Sequence, residues 1–374
     1  MPGTSVELDV AAIERDAVAL AQIPAPTGSE AERLTWVDER LMGVPGERSR
    51  DAVGNVVWHL GDPPFALVLL IHVDTVFGSD EPHSVVERGG WLHGPGIGDN
   101  AVAIAIAVGV VEEVASELIE PLAVAFTVGE EALGGLRGAK HACRTLRPRL
   151  AIALEGHGLD RIYTDAVGSV RVALTVSGPG GHSWWNRERP SAAHGLVRVL
   201  GSLLASVPEG VSVNVGRLAG GDGINVIARR AEAALEARSL DQERLDVVQE
   251  QLRRLTVDDG LELAVETLET RPAGRLDRRH PLVRTVREER ARLGLPDRFG
   301  DGSTDANAAL AQGIPALALG CARGADMHAP TERIERASIG LGAKQLERVL
   351  RRLLVDQSGI RRTPGGKAEA KEVR

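Results

Sequence analysis

Five potential metal ligands are distributed along most of this sequence: His72, Asp99, Glu131, Glu155 and His328. Several of them follow short apolar runs, at residues 66–71, 122–128 and 150–154. Such runs are typical of buried strands in a parallel sheet, and polar groups at the ends of those strands form the sites of α/β proteins. Histidine and carboxylate ligands without a thiolate suit zinc, and they also suit cobalt or manganese. The pattern predicts a metal site at the ends of buried strands.

Two local motifs could carry chemistry around these ligands. In an extended segment, residues two apart point the same way, so Asp74 can accept a hydrogen bond from the second ring N–H of His72. Glu130 and Glu131 are adjacent acids that follow an apolar run and precede Leu133-Gly134-Gly135. A lone His-x-Asp motif is more often a surface or hydrogen-bonded pair, and adjacent glutamates are usually solvated. Taken alone, neither motif identifies a site.

The ordered set of motifs resembles the co-catalytic zinc hydrolase family of aminoacylase, acetylornithine deacetylase, succinyl-diaminopimelate desuccinylase, carboxypeptidase G and peptidase T. The resemblance covers nearly the whole chain and implies two divalent metal ions, of which zinc is the expected metal. By this likeness, His72, Asp99 and Glu155 hold one ion. Asp99, Glu131 and His328 hold the other, so that Asp99 bridges the pair.

The same resemblance implies catalytic roles outside the ligand set. Glu130 is expected to act as the general base, Asp74 to orient the first histidine ligand, and His182 to stabilise the oxyanion across a dimer. The Asp99–Asn100 peptide bond is expected to be cis. One departure from the family pattern is the segment Asn100-Ala101-Val102, which stands in place of a Met-Lys-Gly-like stretch. Because Asp99 is kept, the expected metal bridge is unaffected by this departure. The substrate subclass is left open.

Four further residues match substrate-binding positions of the family. Asn225 and Arg238 correspond to residues that bind a substrate carboxylate. Gly302 and Ser303 belong to a segment that resembles the substrate-side loop. Arginine is abundant in this chain and most arginines are solvated, so Arg238 has a strong alternative reading as a surface residue.

The elements that must position these residues follow two patterns. Residues 1–166 and 273–356 alternate helix and strand in an α/β pattern, and the resemblance implies a zinc-exopeptidase-like mixed sheet flanked by helices. Residues 167–272 have the β-α-β-β-α-β order of a ferredoxin-like α+β domain inserted into the first. In the family this inserted domain serves as lid and dimerisation domain. Residues 357–374 are polar and charged, and they are expected to be disordered.

Composition argues against several other classes of protein. A net charge of −8 and a pI near 5.8 argue against nucleic acid or an anionic membrane as partner. We see no signal peptide and no segment long and apolar enough to span a bilayer, so we expect a cytoplasmic protein. Cys143 and Cys321 lie in no metal-binding spacing and are expected to be reduced and buried. No Gly-x-Ser-x-Gly motif occurs, and Gly94-x-Gly96 is only half of a dinucleotide fingerprint.

These observations predict a dinuclear metal hydrolase that cleaves an amide bond in a small peptide or N-acyl amino acid with a free carboxylate. The expected type is a carboxypeptidase or an N-acyl-amino-acid deacylase, and a homodimer is expected from the family. A peptidase T-like aminopeptidase of di- and tripeptides is the alternative within the family. A metal-free relative that only binds peptides is the alternative from a different class.

Overall fold

The computed structural model describes residues 8–356 of the chain. In chain order the helices are α1 (Val10–Ala21), α2 (Ala31–Arg40), α3 (Val102–Val114), α4 (Arg137–Leu146), α5 (Ala192–Ala205), α6 (Gln242–Arg253), α7 (Pro281–Arg292), α8 (Ala306–Ala311) and α9 (Ile339–Leu354). The strands are β1 (Glu47–Arg50), β2 (Val56–Leu60), β3 (Leu67–His72), β4 (Val86–Arg88), β5 (Trp91–His93), β6 (Leu122–Thr127), β7 (Leu150–Glu155), β8 (Ile162–Ala166), β9 (Gly168–Ser177), β10 (Gly181–His182), β11 (Ser212–Gly220), β12 (Val226–Ile227), β13 (Arg230–Ser239), β14 (Glu262–Arg271), β15 (Gly274–Arg275), β16 (Phe299–Gly302), β17 (Ala316–Gly320), β18 (Gly324–Ala325) and β19 (Arg333–Glu335). The predicted mixed α/β fold class is confirmed.

The larger sheet has the strand order β1-β2-β6-β3-β7-β17-β8-β15, with β16 paired to β8. In its centre β6, β3, β7 and β17 pair with one another in parallel. All residues of β3 and β6 are buried, which explains why both strands read as uninterrupted apolar runs in the sequence. Because these central strands are parallel, their carboxyl ends meet at one edge of the sheet.

Helices cover both faces of the larger sheet. On one face α1, α3, α7 and α9 form a continuous core with alternate strand residues such as Leu67 and Leu69. On the other face α4 and α8 pack with Val68 and Leu70. Successive side chains of a strand point to opposite faces, so each central strand contributes to both cores. A strand fixed in this way holds its last residues firmly at the sheet edge.

A second sheet, of order β11-β13-β9-β14, lies in the middle of the chain with α5 and α6 packed on one face. Burial alternates residue by residue along β9 and β13, as expected when one face of a sheet is covered. Apart from the two-residue strands β10 and β12, the element order is β-α-β-β-α-β, as predicted. The division of the chain at residues 167 and 272 stays a prediction, and it assigns this sheet to the inserted domain.

Some predicted boundaries differ from the observed ones. The sequence pattern predicts a strand over residues 224–237. In the structure this segment is divided, because β12 pairs with β10 whereas β13 pairs with β9 and β11. The small apolar residues predict a helix near residues 101–118. In the structure this helix ends at Val114 and is followed by a 3₁₀ turn, Ala115–Glu117. The first helix begins at Val10, where Asp9 accepts a hydrogen bond from the backbone N–H of Ala12. The tail predicted to be disordered, residues 357–374, lies outside the described residues.

Two further expectations concern cysteines and membranes. Cys143 and Cys321 are buried and form no disulfide, as the sequence predicts. Burial raises the pKa of the Cys143 thiol to about 12, so this cysteine has no tendency to act as a nucleophile. Within residues 8–356, no helix combines the length and the apolar character needed to cross a bilayer.

Candidate active site

The central strands bring the predicted ligands to one edge of the larger sheet. His72 is the last residue of β3, and Glu155 is the last residue of β7. Glu131 follows β6 after a short loop, and His328 lies beyond β17, shortly after the two-residue strand β18. Asp99 lies in a single turn, Ile97–Ala101, that leads into α3. The structure therefore places all five predicted ligands together.

The five side chains form two ligand groups that share Asp99. In the first group, His72 Nε2 lies 3.0 Å from Asp99 Oδ1 and 3.6 Å from Glu155 Oε2. In the second group, His328 Nε2 lies 3.0 Å from Asp99 Oδ2 and 3.1 Å from Glu131 Oε1. Each oxygen of Asp99 therefore faces a different histidine. A carboxylate that bridges two ions needs this arrangement.

Several buried ligand atoms form no hydrogen bond of good geometry, which fits a cation site. His72 Nε2, Asp99 Oδ1 and Glu155 Oε1 are buried, and they form no hydrogen bond within the described part of the chain. A buried polar atom without a partner costs about 1–3 kcal/mol of folding free energy. Cations bound between the ligand groups would remove this cost, because nitrogen and carboxylate oxygens are the donors that zinc binds. The side chains present therefore fit a metal centre.

The charges of the cluster indicate the same chemistry. Burial raises the pKa of Glu155 to about 7 and raises the pKa of Glu131. Hydrogen bonds to Asp99 and Glu131 raise the pKa of His328 to about 10. Burial alone would lower the pKa of His72, but the neighbouring carboxylates outweigh it and raise this pKa well above its usual value. Without a bound cation the cluster holds protons instead, and metal binding would release them.

Backbone geometry fixes the turn that carries Asp99. The Asp99–Asn100 peptide bond is cis, as the resemblance implies. The Asn100 side-chain amide donates hydrogen bonds to the carbonyl oxygens of Leu154, at 3.0 Å, and of His72, at 3.4 Å. These bonds join the turn to the ends of β7 and β3. Gly96 begins the turn with a φ of 70°, a backbone conformation that favours glycine.

Asp74 lies behind His72, but its contacts differ from the prediction. His72 Nδ1 is 3.1 Å from the backbone carbonyl oxygen of Asp74 and 3.7 Å from its carboxylate Oδ1. The ring N–H is therefore placed to donate to the carbonyl and not to the carboxylate. The carboxylate accepts hydrogen bonds from the backbone N–H groups of Glu130, at 3.1 Å, and Glu131, at 2.9 Å, and from Thr27 Oγ1, at 2.8 Å. Through these bonds the Asp74 carboxylate orients the turn that carries both glutamates.

Glu130 is buried beside the ligand groups and is paired with an arginine. Arg271 NH1 lies 2.8 Å from Glu130 Oε1, and Arg271 NH2 also donates to the Glu130 backbone carbonyl. Burial nevertheless raises the pKa of Glu130 well above its usual value. Arg271 is held in turn by Glu269, whose Oε1 is 2.9 Å from Arg271 Nε. A carboxyl group with a raised pKa, positioned by a buried cation, is suited to accept a proton and release it again.

Two more arginines lie on the same face of the second sheet as Glu269 and Arg271. Arg171 on β9 is directly opposite Glu236 on β13 and Glu269 on β14 in the strand register. Its Nε is 2.7 Å from Glu236 Oε1, and its NH1 is 2.5 Å from Glu269 Oε2. Arg238, two residues beyond Glu236 on β13, places its Nε 2.7 Å from Glu236 Oε2. Alternating charges thus extend from Arg238 to the arginine that holds Glu130.

A cavity of about 470 Å³ is lined by both the ligand groups and the arginines. Its wall includes His72, Asp99, Glu130, Glu131, Glu155, His157, Tyr163, Arg171, Arg238, Arg271, Gly302, Ser303, Met327 and His328. The predicted substrate residues Arg238, Gly302 and Ser303 are therefore at the site. Acidic ligands and cationic side chains face the same space, which suits a substrate that carries a carboxylate near its reacting bond.

Comparison with known proteins agrees with this geometry. The sequence model of the family described as Peptidase family M20/M25/M40 matches residues 68–352. The chain belongs to this family. It is therefore an M20 hydrolase, and the resemblance seen in the ordered motifs is confirmed. Metal binding is consistent with the cluster of His72, Asp99 and Glu131, whose ligand atoms lie within 4.8 Å of one another.

Individual relatives of this M20 hydrolase differ in their activities. The chain is 27% identical over 245 residues to the acetylornithine deacetylase of Pasteurella multocida (strain Pm70), a match that spans 60% of this chain and 63% of that protein. A tripeptidase from Staphylococcus aureus subsp. aureus Mu50 has a similar structure, with a TM-score of 0.76 at 21% identity, covering 93% of this chain and 99% of that one. The M20 family metallo-carboxypeptidase from Sulfolobus solfataricus gives a TM-score of 0.77 at 14% identity, covering 92% and 99%. At these identities the two structures show the fold alone.

Two predicted site residues of the M20 hydrolase lie elsewhere in the single chain. His182, in β10, is exposed and is not part of the described cavity wall. Asn225 precedes β12, and its backbone carbonyl accepts a hydrogen bond from Ser183 at 2.9 Å. β10 and β12 pair with each other, so the two residues belong to one exposed corner of the second sheet. Their roles in oxyanion and carboxylate binding stay predictions.

The sequence does not identify several residues that the structure places at the site. Arg271 closes β14, where the sequence suggests only a boundary between two patterns. No sequence pattern gives Glu332 a role, yet its side chain is buried and accepts a hydrogen bond from the backbone N–H of Asp99. His157 is a wall residue whose Nε2 lies 2.9 Å from Glu332 Oε1, so it supports the site without belonging to the ligand groups. The one sequence signal for Arg271 is its spacing of two from Glu269 on a strand, which puts both on one face.

Proposed function

We propose that this M20 hydrolase uses two divalent metal ions to cleave an amide bond next to a free carboxylate. The substrate would be a small peptide or an N-acyl amino acid, so the enzyme would act as a carboxypeptidase or a deacylase. The observation that supports this most directly is the cavity wall on which arginines stand beside the ligand groups. A guanidinium holds a carboxylate through two hydrogen bonds, and metal ligands next to it would place the adjacent amide at the ions. Zinc is the first candidate for the metal, with cobalt or manganese as alternatives.

The proposed mechanism follows from the placement of Glu130. Each of the two ligand groups that share Asp99 would hold one ion, and the bound ions would polarise the amide carbonyl and lower the pKa of the attacking water. Glu130 would take a proton from that water and give it to the nitrogen of the leaving amine as the C–N bond breaks. Arg271, 2.8 Å from Glu130 Oε1, would keep this carboxyl group directed into the cavity. Gly302 and Ser303, which also line the cavity, would contact the substrate.

A peptidase T-like aminopeptidase is the second candidate. The likeness of the fold to a tripeptidase and the presence of Gly302 and Ser303 in the cavity wall favour it. An aminopeptidase would recognise the free amino group of its substrate, and the acidic side chains of the wall could bind such a group. A metal-free relative that only binds peptides is the candidate from a different class. The buried atoms of the first ligand group that form no hydrogen bond weigh against it.

A substrate panel distinguishes these candidates. We expect the zinc-, cobalt- or manganese-loaded protein to hydrolyse N-acyl amino acids and N-blocked dipeptides, because these keep a free carboxylate beside the scissile amide. The matching C-terminal amides should react at least about tenfold more slowly, since one charge-assisted hydrogen bond contributes about 1.5–3 kcal/mol. Cleavage restricted to peptides with a free amino terminus would favour the aminopeptidase. Metal-loaded protein that binds these compounds without cleaving any of them would favour the non-catalytic relative.

Arg238 provides a residue-level test of carboxylate recognition. Its side chain is 40% exposed at the cavity, with Nε and NH2 both paired to Glu236, so that a substrate carboxylate could share its charge. We expect Arg238→Ala to raise KM for free-acid substrates about tenfold or more and to leave KM for the matching amides nearly unchanged. Arg230→Ala is the control, because Arg230 lies on the same strand and pairs with Glu232 at the surface. Equal effects of Arg238→Ala on acids and amides would exclude the assigned pairing.

His182 is proposed to act in the cavity of a partner subunit in a homodimer. The backbone N–H groups of Trp184 and Trp185 point to its Nδ1, at 3.2 and 3.4 Å. Nδ1 therefore acts as the acceptor, which leaves the proton on Nε2, where it could be donated to an oxyanion. The exposure of His182, Trp184 and Trp185 makes this corner of the second sheet accessible to another chain.

Mixing two inactive variants tests the role of His182 in a dimer. We expect His182→Ala to lower kcat roughly 10²-fold or more with metal content retained, as for loss of one oxyanion donor. A mixture of His182→Ala and Glu130→Gln chains should regain part of the activity, because a mixed dimer has one site with both residues intact. The control mixture combines Glu130→Gln with a chain that carries both substitutions, and it should stay inactive. If subunit exchange is verified and the first mixture also stays inactive, His182 does not act across the dimer.

A further inference from the structure

A single buried carboxylate holds the turn that carries Asp99. Glu332 is fully buried, and its Oε1 accepts hydrogen bonds from the backbone N–H groups of Asp99, at 2.8 Å, and Gly98, at 3.0 Å. Its Oε2 accepts a third from Gly96 at 2.8 Å. The backbone carbonyl of Glu332 accepts a fourth from Gly94 at 2.9 Å. One residue thus fixes the backbone from Gly94 to Asp99.

Glu332 also connects this turn to two other ligand segments. Its Oε1 lies 2.9 Å from His157 Nε2, and His157 is two residues after Glu155. Glu332 itself is four residues after His328. The carboxylate therefore contacts or belongs to the segments that carry Asp99, Glu155 and His328. A shift of its position would be transmitted to ligands of both groups.

The surrounding residues leave room for this carboxylate and for little else. A Cβ added at Gly98 would collide with His157 Nε2 and with Glu332 Oε1, so a side chain there would displace both. Arg33 is a buried cation nearby, whose pKa is lowered to about 10 by burial while Asp74 and Glu332 act to raise it. Arg33 NH1 donates to the carbonyl oxygen of Val73 at 3.0 Å. The buried charge of Glu332 is thus met by backbone donors, an imidazole and the field of a guanidinium.

We propose that Glu332 is a positioning residue of the metal centre. It sets the direction of the two Asp99 oxygens, and it thereby sets the affinity of the second ligand group for its ion. This inference rests on the proposed function, since it assumes that each ligand group holds one ion. The second ligand group depends more on Glu332 than the first group does, because the His328 side chain is 45% exposed and its segment is anchored by Glu332. The ion held by Asp99, Glu131 and His328 would therefore be the one that is lost first.

The test is stepwise zinc binding by the full-length chain carrying Glu332→Gln. Glutamine has nearly the same size, but it cannot accept the same set of hydrogen bonds because one oxygen becomes a donor. In competition with a chromophoric chelator, we expect the weaker binding step to lose roughly 10–100-fold in affinity and the tighter step to lose less. Excess zinc should restore kcat, with KM for substrate unchanged. Glu335→Gln is the matched control, since Glu335 lies three residues further on and pairs with Arg323 near the surface.

The outcomes separate this inference from the proposed function. Wild-type protein that binds fewer than two ions contradicts the dinuclear centre itself. If the wild-type protein binds two ions and folded Glu332→Gln protein binds both with unchanged affinity, the inference is overturned and Glu332 only stabilises a turn. Should Glu332→Gln fail to fold, His157→Gln removes one partner of the carboxylate and decides instead. For His157→Gln, a roughly threefold or greater loss of zinc affinity in the weaker binding step supports the inference, and an unchanged affinity overturns it.

Discussion

Glu130→Gln is expected to lower kcat by roughly 10²-fold or more while the protein keeps its full metal content. Glutamine retains the size of glutamate and can still accept the hydrogen bond that Arg271 donates to Oε1. It cannot accept a proton at neutral pH, so the transfer from water to the leaving amine would lose its carrier. Steady-state kinetics together with elemental analysis of the same preparation measure both parts of this result.

Glu131→Gln is the matched variant, because the two glutamates are adjacent but face different partners. Glu131 Oε1 lies 3.1 Å from His328 Nε2 in the second ligand group, whereas Glu130 is paired with Arg271. Glu131→Gln should therefore lower the metal content, and the loss of activity should follow the loss of metal. Metal loss in Glu130→Gln combined with retention in Glu131→Gln would mean that the two roles are reversed.

Asp99→Ala is expected to abolish binding of both ions and to reduce activity to the level of the metal-free protein. The reason is that Asp99 Oδ1 faces His72 and Asp99 Oδ2 faces His328, each at 3.0 Å. Removing the carboxylate takes one ligand from each group at once. Isothermal titration calorimetry with zinc measures the number of binding sites and their affinities.

Single-histidine variants are the controls for Asp99→Ala. His72→Ala and His328→Ala each remove a ligand from one group only, so each should weaken one binding step more than the other. If Asp99→Ala keeps one tight site, Asp99 serves one ion and does not bridge. Far-ultraviolet circular dichroism of all three variants would verify that the losses do not arise from unfolding.

The proximity of the predicted ligands could be anticipated from the sequence, because three of them follow buried strands. β3, β6 and β7 are fully or largely buried, so each is an apolar run whose end is visible, and the parallel sheet brings those ends together. The β-α-β-β-α-β order of the middle segment was equally visible, because α5 and α6 cover one face and leave alternating burial on β9 and β13.

The residues that support the ligands could not be predicted in the same way. Glu332 and Asp99 are separated by 233 positions, and Arg271 and Glu130 by 141, so no local spacing relates them. The contacts of Asp74 could not be predicted in full, because period-two spacing gives the direction of a side chain but not the competing backbone donors at Glu130 and Glu131. The divided strand at β12 and β13 depends on pairing with β10, a contact that hydrophobic pattern does not encode.

The metal content of the wild-type protein tests the central claim most directly. The full chain, purified in the presence of zinc and freed of loosely bound ions, would be measured by elemental mass spectrometry against its protein concentration. Two ligand groups that share Asp99 predict two zinc ions per chain, with one lost when His328 is replaced by alanine. A content near zero in folded protein after loading with zinc, cobalt and manganese in turn would contradict the account.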